Sequence, residues 1–422
     1  MGARSLLAEE RIALQNMNKN RLLIKEVGSW KAHGLGIAVL MLLGCPTAPS
    51  TLAHTLRTPT ARPQKYTLTT LASFKGTNGQ YPGGTLTVNG STLYGTTGGG
   101  GAKGGGTVFS VPTTGGDPTV LISFNGTNGR APRAGLTLSG STIYGTTPAG
   151  GANDNGTVFS VPITGGTPSV LTGFKGTNGE HPLGGLTLSG NNLYGTTGGG
   201  GLHHLGTVFS VPIKGGEITV LAQFNGANGV FPDCDLVVSG STLYGTTSNG
   251  GVHDAGTVFS VPMTGGTPTV LVSFNGTNGS GPNGGLVLNG STLYGTTQDG
   301  GANDNGTVFS VPITGGMPTV LVSFKGTNGG LPEGDLAVSG STLYGTTLEG
   351  GSKNYGTVFS VPTTAGNVTV LASFNGTNGA LPLGGLTLIG STLYGTTGQG
   401  GTYNKGTVFS LSPTNGNATP AK

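Results

Sequence analysis

The chain is built on a period of 50 residues that recurs seven times without insertion or deletion. The string S-T-L-Y-G-T-T and its close variants place a tyrosine at positions 94, 144, 194, 244, 294, 344 and 394. The string G-T-V-F-S places a phenylalanine at positions 109, 159, 209, 259, 309, 359 and 409. Such a chain must stack similar small units, because one repeat alone cannot bury its apolar face.

Each repeat contains four strand candidates, named a to d in chain order. In the first copy they are residues 85–89, 92–97, 107–112 and 119–124. They are rich in Val, Leu, Thr and aromatic residues and are bounded by Gly, Asn or Pro. The a–b connection is Asn-Gly or Ser-Gly in most copies, which suits a tight hairpin turn. Four short antiparallel strands in about 50 residues are typical of a β-propeller blade.

The two ends of the repeat region predict a closed ring. Residues 67–74 form a d strand that no a, b or c strand precedes, and the last repeat stops after its c strand. The surplus strand at one end therefore supplies the missing strand at the other, which removes the exposed edges of an open array. We predict an all-β, seven-bladed β-propeller over residues 66–415, followed by a polar tail over 416–422.

The first 65 residues have the features of an export leader and a tether. An apolar run at 34–44 follows several basic residues and suits the core of a signal peptide. Leu42-Leu43-Gly44-Cys45 resembles a bacterial lipobox, which predicts a signal peptide over 1–45 and a lipidated Cys45. Cleavage after Ala53, or an uncleaved anchor, is the alternative, and the start at Met1 or Met17 is open. Residues 46–65 are rich in Pro, Thr and Ala and predict a disordered tether.

Charge and cysteine content exclude some classes of function. Residues 1–65 hold nine of the 19 basic and three of the 15 acidic residues, which leaves ten basic and twelve acidic residues in the remainder. Without a basic surface, nucleic-acid binding is not expected. The two cysteines do not form a disulfide framework. We expect no cofactor, and a monomer that contacts a membrane only through a leader-derived anchor.

The repeated strings S-T-L-Y-G-T-T, G-G-x(4)-G-T-V-F-S-V-P and S-F-N-G-T-N-G resemble the GloVer tandem-repeat family of bacterial exported proteins. The resemblance covers residues 66–412. It implies a propeller-like repeat region on an exported protein, and it implies neither an activity nor catalytic residues. The expected location is the outer membrane or cell surface as a lipoprotein, or the periplasm or medium as a secreted protein.

Variation between the repeats is concentrated in the d–a loop after T-N-G and in the b–c loop inside G-G-x(4)-G. In an up-and-down blade these two loops emerge on the same face. Ten acidic residues lie in them: Asp154, Glu180, Asp233, Asp235, Asp254, Asp299, Asp304, Glu333, Asp335 and Glu349. Loops on a rigid scaffold often carry binding sites. We predict that this face binds a protein or polysaccharide of the cell envelope; the alternative is that the loops have diverged because nothing constrains them.

Within these loops, blades three and four concentrate side chains with potential chemistry. The set comprises His181, His203, His204, Asp233, Cys234, Asp235, His253 and Asp254. Imidazole, thiolate and carboxylate groups can ligate zinc or another transition metal, and a Cys–His pair can support nucleophilic catalysis by a hydrolase or lyase. The spacing matches no known motif, so scattered surface residues are the alternative, and a purely structural role is a third. Phe231, Tyr355 and Tyr403 are further candidate contacts on this face.

Two repeated features have simpler structural explanations. The Asn-Asp-Asn triplets at 153–155 and 303–305 offer oxygen ligands of the type calcium prefers, but each carries one carboxylate, which favours a turn. The seven tyrosines of Y-G-T-T are expected to pack between blades, because one occurs in every b strand.

Overall fold

The computed structural model describes residues 64–414. The chain divides into two units, Met1–Ala61 and Arg62–Lys422, and the described residues all belong to the second. The predictions for the signal peptide, for Cys45, for most of the tether and for the polar tail therefore lie outside the described residues. Residues 64–414 form strands and turns only, and they include no helix that could cross a bilayer.

Twenty-nine strands follow one another along the described residues. They are β1 (Tyr66–Ser73), β2 (Gln80–Pro82), β3 (Thr87–Asn89), β4 (Thr92–Gly99), β5 (Thr107–Pro112), β6 (Thr119–Ser123), β7 (Thr137–Ser139), β8 (Thr142–Thr147), β9 (Thr157–Pro162), β10 (Ser169–Gly173), β11 (Thr187–Ser189), β12 (Asn192–Thr197), β13 (Thr207–Pro212), β14 (Thr219–Gln223), β15 (Val237–Ser239), β16 (Thr242–Thr247), β17 (Thr257–Pro262), β18 (Thr269–Ser273), β19 (Val287–Asn289), β20 (Thr292–Thr297), β21 (Thr307–Pro312), β22 (Thr319–Ser323), β23 (Ala337–Ser339), β24 (Thr342–Thr347), β25 (Thr357–Pro362), β26 (Thr369–Ser373), β27 (Thr387–Ile389), β28 (Thr392–Thr397) and β29 (Thr407–Pro413).

These strands form seven antiparallel sheets, and each sheet is one blade with the strand order a-b-c-d. In the first blade strand b pairs with strand c in regular register, with Tyr94 opposite Ser110 and Gly95 opposite Phe109. This position requires glycine, because a Cβ at Gly95 would lie 2.6 Å from the Phe109 ring. The predicted seven-bladed β-propeller is confirmed, with β2 as one additional short strand that pairs with β4.

Strand a is shorter than the sequence suggested: it begins at Thr87 rather than at residue 85. The residues before it contact the neighbouring blade instead of pairing with strand b. A Cβ at Gly84 would lie 2.3 Å from the carbonyl oxygen of Ala134, which is the equivalent position of the next blade. The segment that precedes strand a therefore belongs to the centre of the ring.

The ring is closed by the two ends of the repeat region. Strand β1 pairs with β29 from Tyr66 opposite Pro413 to Ser73 opposite Thr407, so the seventh blade takes its outer strand from the start of the propeller. The predicted closure is confirmed, within one residue at each end of the predicted strand.

Each part of the apolar core lies between two neighbouring blades. At every boundary the phenylalanine that follows strand d meets the phenylalanine of strand c in the next blade, edge to face, with ring centroids 4.9 to 5.1 Å apart. The seven pairs are Phe74–Phe109, Phe124–Phe159, Phe174–Phe209, Phe224–Phe259, Phe274–Phe309, Phe324–Phe359 and Phe374–Phe409. Tyr94 packs with Leu136 of the next blade, which confirms the expected role of the tyrosines.

We expect the chain that starts at residue 75 to aggregate, whereas the chain that starts at residue 62 remains monomeric. Removal of β1 leaves β29 as an exposed edge and deletes Phe74 from the boundary between the seventh and first blades. Size-exclusion chromatography with light scattering and thermal unfolding compare the two chains. Equal stability and a monomeric state for the shorter chain would contradict the closure.

Candidate functional site

The d–a and b–c loops emerge on the same face of the ring and are hydrogen-bonded to each other. The N–H of Gly101 donates to the carbonyl of Gly76 at 2.8 Å, and the N–H of Arg130 donates to the carbonyl of Ala149 at 2.8 Å. Equivalent bridges recur around the ring. The predicted common face, named here the loop face, is confirmed.

The side chains of the loops also fix their own backbones. The N–H of Asn125 donates to Oδ1 of Asn128 at 2.9 Å, and the N–H of Asn128 donates back to Oδ1 of Asn125 at 3.1 Å. Asp154 has a left-handed backbone with φ of 58°, and its Oδ1 accepts the N–H of Gly150 at 2.8 Å. This geometry confirms the turn interpretation of the first Asn-Asp-Asn triplet. The loop face therefore presents its variable side chains from a braced backbone.

The candidate residues of blades three and four are distributed over several loops. His203 and His204 lie on one b–c loop and His253 and Asp254 on the next, and all four are exposed. His181 lies in a d–a loop, where its Nδ1 is 3.0 Å from the carbonyl oxygen of Pro148. Asp254 accepts the N–H of Gly250 at 2.9 Å and thereby closes its own loop.

The structure does not bring these residues together as a metal centre. Within residues 64–414, no group of three or more His, Cys, Asp or Glu side chains has the arrangement of a metal site. Phe231, Tyr355 and Tyr403 are exposed on the loop face but belong to different blades.

Cys234 is buried beside strand β16. Its Sγ accepts the N–H of Thr246 at 3.1 Å, and burial raises the pKa of the thiol to about 12. A Cβ at Gly245 would lie 3.0 Å from this sulfur, so the thiol occupies space inside the blade. Burial also keeps the sulfur away from solvent, and the raised pKa disfavours the thiolate that acts as a nucleophile. Cys234 therefore acts as a packing residue.

The segments before strand a from all seven blades meet at one end of the central channel. They line an open cavity of about 80 Å³, named here the channel mouth. Its lining comprises residues 83–85, 133–135, 183, 233–235, 283–285, 333–335 and 383–385. Most repeats have glycine at the third position of this segment, but Asp235 and Asp335 stand there in blades four and six.

Both aspartates are held by backbone groups of the preceding blade. The N–H of Gly185 donates to Oδ1 of Asp235 at 2.5 Å, and the N–H of Gly285 donates to Oδ1 of Asp335 at 2.6 Å. The Thr85 hydroxyl donates to Oδ2 of Asp335 at 3.0 Å. A Cβ at Gly285 would lie 2.8 Å from Oδ1 of Asp335 and 3.1 Å from Cβ of Asp235. The two carboxyl groups are therefore neighbours inside the channel mouth.

The channel mouth raises the pKa of its acids. Burial, together with the charge of Asp335, raises the pKa of Asp235 to about 7, and burial raises the pKa of Asp335 as well. Burial and the charge of Asp299 raise the pKa of Glu333 to about 7. Burial raises the pKa of Asp233 to about 6, and its Oδ1 is buried without a hydrogen-bond partner. Part of this acid group is protonated near neutral pH.

All four acids were predicted to lie in the variable loops, and Asp233 and Asp235 were further grouped with the histidines of blades three and four. Their proximity to Glu333 and Asp335 was not predicted. The available signal was the position within the repeat, because both pairs occupy the same two positions in blades four and six. Because the blades surround one axis, residues at equivalent positions of this segment lie close together around the channel.

The sequence pattern of the Gloeobacter/Verrucomicrobia repeat matches residues 60–259 and 236–421, which together span the whole propeller. The chain belongs to the Gloeobacter/Verrucomicrobia repeat family. This family assignment agrees with the resemblance carried by the repeated strings. A search of the curated proteins found no match.

The solved structures that are similar to this family member share little sequence identity with it. An oligogalacturonate lyase in complex with manganese aligns with 14% identity over 83% of this chain and 91% of its own, with a TM-score of 0.51. A gluconolactonase from Xanthomonas campestris aligns with 13% identity over 66% and 85%, with a TM-score of 0.41. The tricorn protease aligns with 12% identity and a TM-score of 0.42 over 75% of this chain, which spans 27% of that protein. The similarity to the lyase supports the fold alone.

We expect the stability of the propeller to fall as the pH rises from about 4 to about 7. The native-state pKa of Asp235 lies above the value of 3.8 for the free side chain, so the folded protein binds its proton more tightly than the unfolded chain. The resulting stabilisation is complete below the unfolded pKa and disappears as the pH passes the folded pKa. Asp235→Asn keeps an acceptor for Gly185 and cannot ionise.

The unfolding free energy of this variant should therefore fall less between pH 4 and 8 than that of the wild type, by about 2 kcal/mol. This difference is smaller than the whole pKa shift of Asp235 implies, because the carboxyl group partly faces the channel cavity. Chemical denaturation at both pH values measures the difference. Glu217→Gln, at an exposed position far from the channel mouth, is the matched control. An identical pH dependence in wild type and Asp235→Asn would exclude the proposed titration.

Proposed function

We propose that this protein is an exported, non-catalytic scaffold that binds a protein or polysaccharide of the cell envelope through its loop face. One observation carries the proposal: the side chains that differ between repeats are concentrated on one face, on loops whose backbones are hydrogen-bonded to each other. A braced backbone loses little conformational freedom on binding, so varied side chains on it can contribute to affinity.

The distribution of exposed apolar side chains supports the same face. Of the ten large apolar residues exposed within residues 64–414, six lie in the loops of this face: Leu202, Phe231, Val252, Tyr355, Leu383 and Tyr403. Leu202 and Val252, on the b–c loops of blades three and four, are 75% and 82% exposed. Apolar and aromatic side chains at this exposure are characteristic of contact surfaces.

The proposal of export rests on the leader. A basic segment, an apolar run at 34–44 and Cys45 in a lipobox-like context are consistent with a lipoprotein, and the close to neutral charge of residues 66–422 is consistent with a partner other than nucleic acid. We propose a monomer whose contact with a membrane is made by the lipidated Cys45.

A second candidate function is acid–base catalysis at the channel mouth. The observation that favours it is the pair Asp235 and Asp335, since coupled carboxyl groups with raised pKa values occur in active sites. The small volume weighs against it, because about 80 Å³ is well below the usual volume of a pocket that surrounds a small-molecule substrate. Binding at the loop face is therefore the preferred function.

We expect the double substitution Leu202→Ser and Val252→Ser to weaken capture of the envelope partner about tenfold or more, because it removes exposed apolar contacts without disturbing buried residues. The immobilised propeller is incubated with solubilised envelope, and bound protein and bound sugar are quantified separately. Met317→Ser is the matched control, since Met317 is 89% exposed in the c–d turn of the opposite face. Equal capture by the double variant and the control would exclude the loop face.

We expect Cys45→Ser to move the protein from the membrane fraction to the soluble fraction and to abolish labelling by radioactive palmitate. The thiol of the lipobox is the site of lipid attachment, and serine cannot replace it. Cell fractionation of wild type and variant, with immunodetection of the propeller, measures the change. Unchanged fractionation and processing after Ala53 would show that the leader directs simple secretion.

A further inference from the structure

The outer edge of the ring contains a groove at the boundary between neighbouring blades, where strand d of one blade meets the c–d turn of the next. Between blades three and four, the N–H of Gly266 in this turn donates to the carbonyl of Leu221 in strand β14 at 2.9 Å. At two other boundaries an ion pair crosses the groove: Lys75 with Asp117 at 2.7 Å, and Lys175 with Glu217 at 3.9 Å. The equivalent residues between blades three and four are Asn225 and Thr267, which are uncharged.

The groove between blades three and four is open to solvent and has a volume of about 300 Å³. Its polar side chains are His203, Gln223, Asn225, Asn228 and Thr267, and its wall is formed by residues 220–222 of strand β14. No Lys, Arg, Asp or Glu lines it. The volume is at the lower end of the range for small-ligand sites.

Two departures from the repeat sequence fall in or beside this groove. Gln223 stands where five copies have serine and one has glycine, and Ala227 stands where the other six copies have threonine. In blade one the hydroxyl of Thr127 donates to Oδ1 of Asn125 at 2.8 Å. Because Ala227 has no hydroxyl, Oδ1 of Asn225 keeps only the N–H of Asn228, at 3.1 Å. The exposed amide of Asn225 therefore retains capacity for a ligand.

The neighbouring polar groups are held in place by the fold. Oε1 of Gln223 accepts the N–H of Leu202 at 2.5 Å, and Nδ2 of the buried Asn228 donates to the carbonyl of Gln223 at 3.3 Å. These bonds order one wall of the groove before a ligand arrives, and His203 stands at its rim on the adjacent b–c loop. A pre-ordered wall lowers the entropic cost of binding.

We propose that this groove binds one sugar ring of a neutral polysaccharide. Amide, imidazole and hydroxyl groups can donate to and accept from sugar hydroxyls, and the aliphatic wall can contact the C–H face of a ring. A lining without cations offers no counter-charge to a phosphate or carboxylate, and a lining without acids offers none to an amine. The inference rests on the proposed binding function and deepens it, because it selects polysaccharide over protein and places a contact at the outer edge.

The test is isothermal titration of the propeller with maltohexaose, cellohexaose and laminarihexaose, with hexagalacturonate as the acidic comparison. At least one neutral hexasaccharide should bind, and hexagalacturonate should not. The double substitution Gln223→Ser and Ala227→Thr restores residues that other blades of the same chain already carry, so the variant should fold. We expect it to weaken binding about tenfold. His203→Ala should weaken it in the same direction.

Ser273→Gln in blade four is the matched control and should keep the wild-type affinity. The proposal is overturned if no neutral hexasaccharide binds, if hexagalacturonate binds better, or if the double variant binds as wild type does. Capture of the envelope partner by the loop face is measured on the same double variant. If capture persists while hexasaccharide binding is absent from the wild type, the groove fails and the proposed function stands.

Discussion

The edge-to-face contact between phenylalanines of neighbouring blades is the interaction on which the rest of the molecule depends. Each pair joins a residue after strand d to a residue of strand c in the next blade, so no blade has an apolar core of its own. Seven such boundaries must form together, and the last of them needs Phe74 from the start of the propeller. The stability of the propeller therefore depends on the complete ring. The loop face and the channel mouth are ordered because the ring holds their segments in place.

Because the seven blades are nearly identical, a residue that differs in one blade marks a place where that blade has a different surface or interior. Where the repeats agree, the residues serve packing: the buried threonines Thr97 and Thr107 share a hydrogen bond at 2.8 Å, and the same bond recurs in the other blades. Where one blade differs, the change alters a single place on an otherwise regular surface. Asp235 and Asp335 break the regularity at the centre, and Gln223 and Ala227 break it at the rim.

Much of the fold could be predicted because its determinants are local and repeated. The period, the turn residues and the unmatched strands at the two ends were enough to predict seven blades and the closure by β1. The shared loop face followed from strand order alone. The channel mouth could not be predicted with equal success, because its acids come from segments 100 residues apart that meet only around the axis. Cys234 was similarly misleading. A cysteine suggests nucleophilic catalysis or metal ligation, but burial of this thiol raises its pKa and disfavours the reactive thiolate.

The pairing of the first strand of the propeller with the last has a consequence for biogenesis. Strand β1 leaves the ribosome before every other element described, yet its partner β29 is synthesised after all of them. The seventh sheet thus cannot assemble until elongation has passed residue 413. Until that point β1 has no partner for its backbone hydrogen bonds, because β29 is the strand that it pairs with.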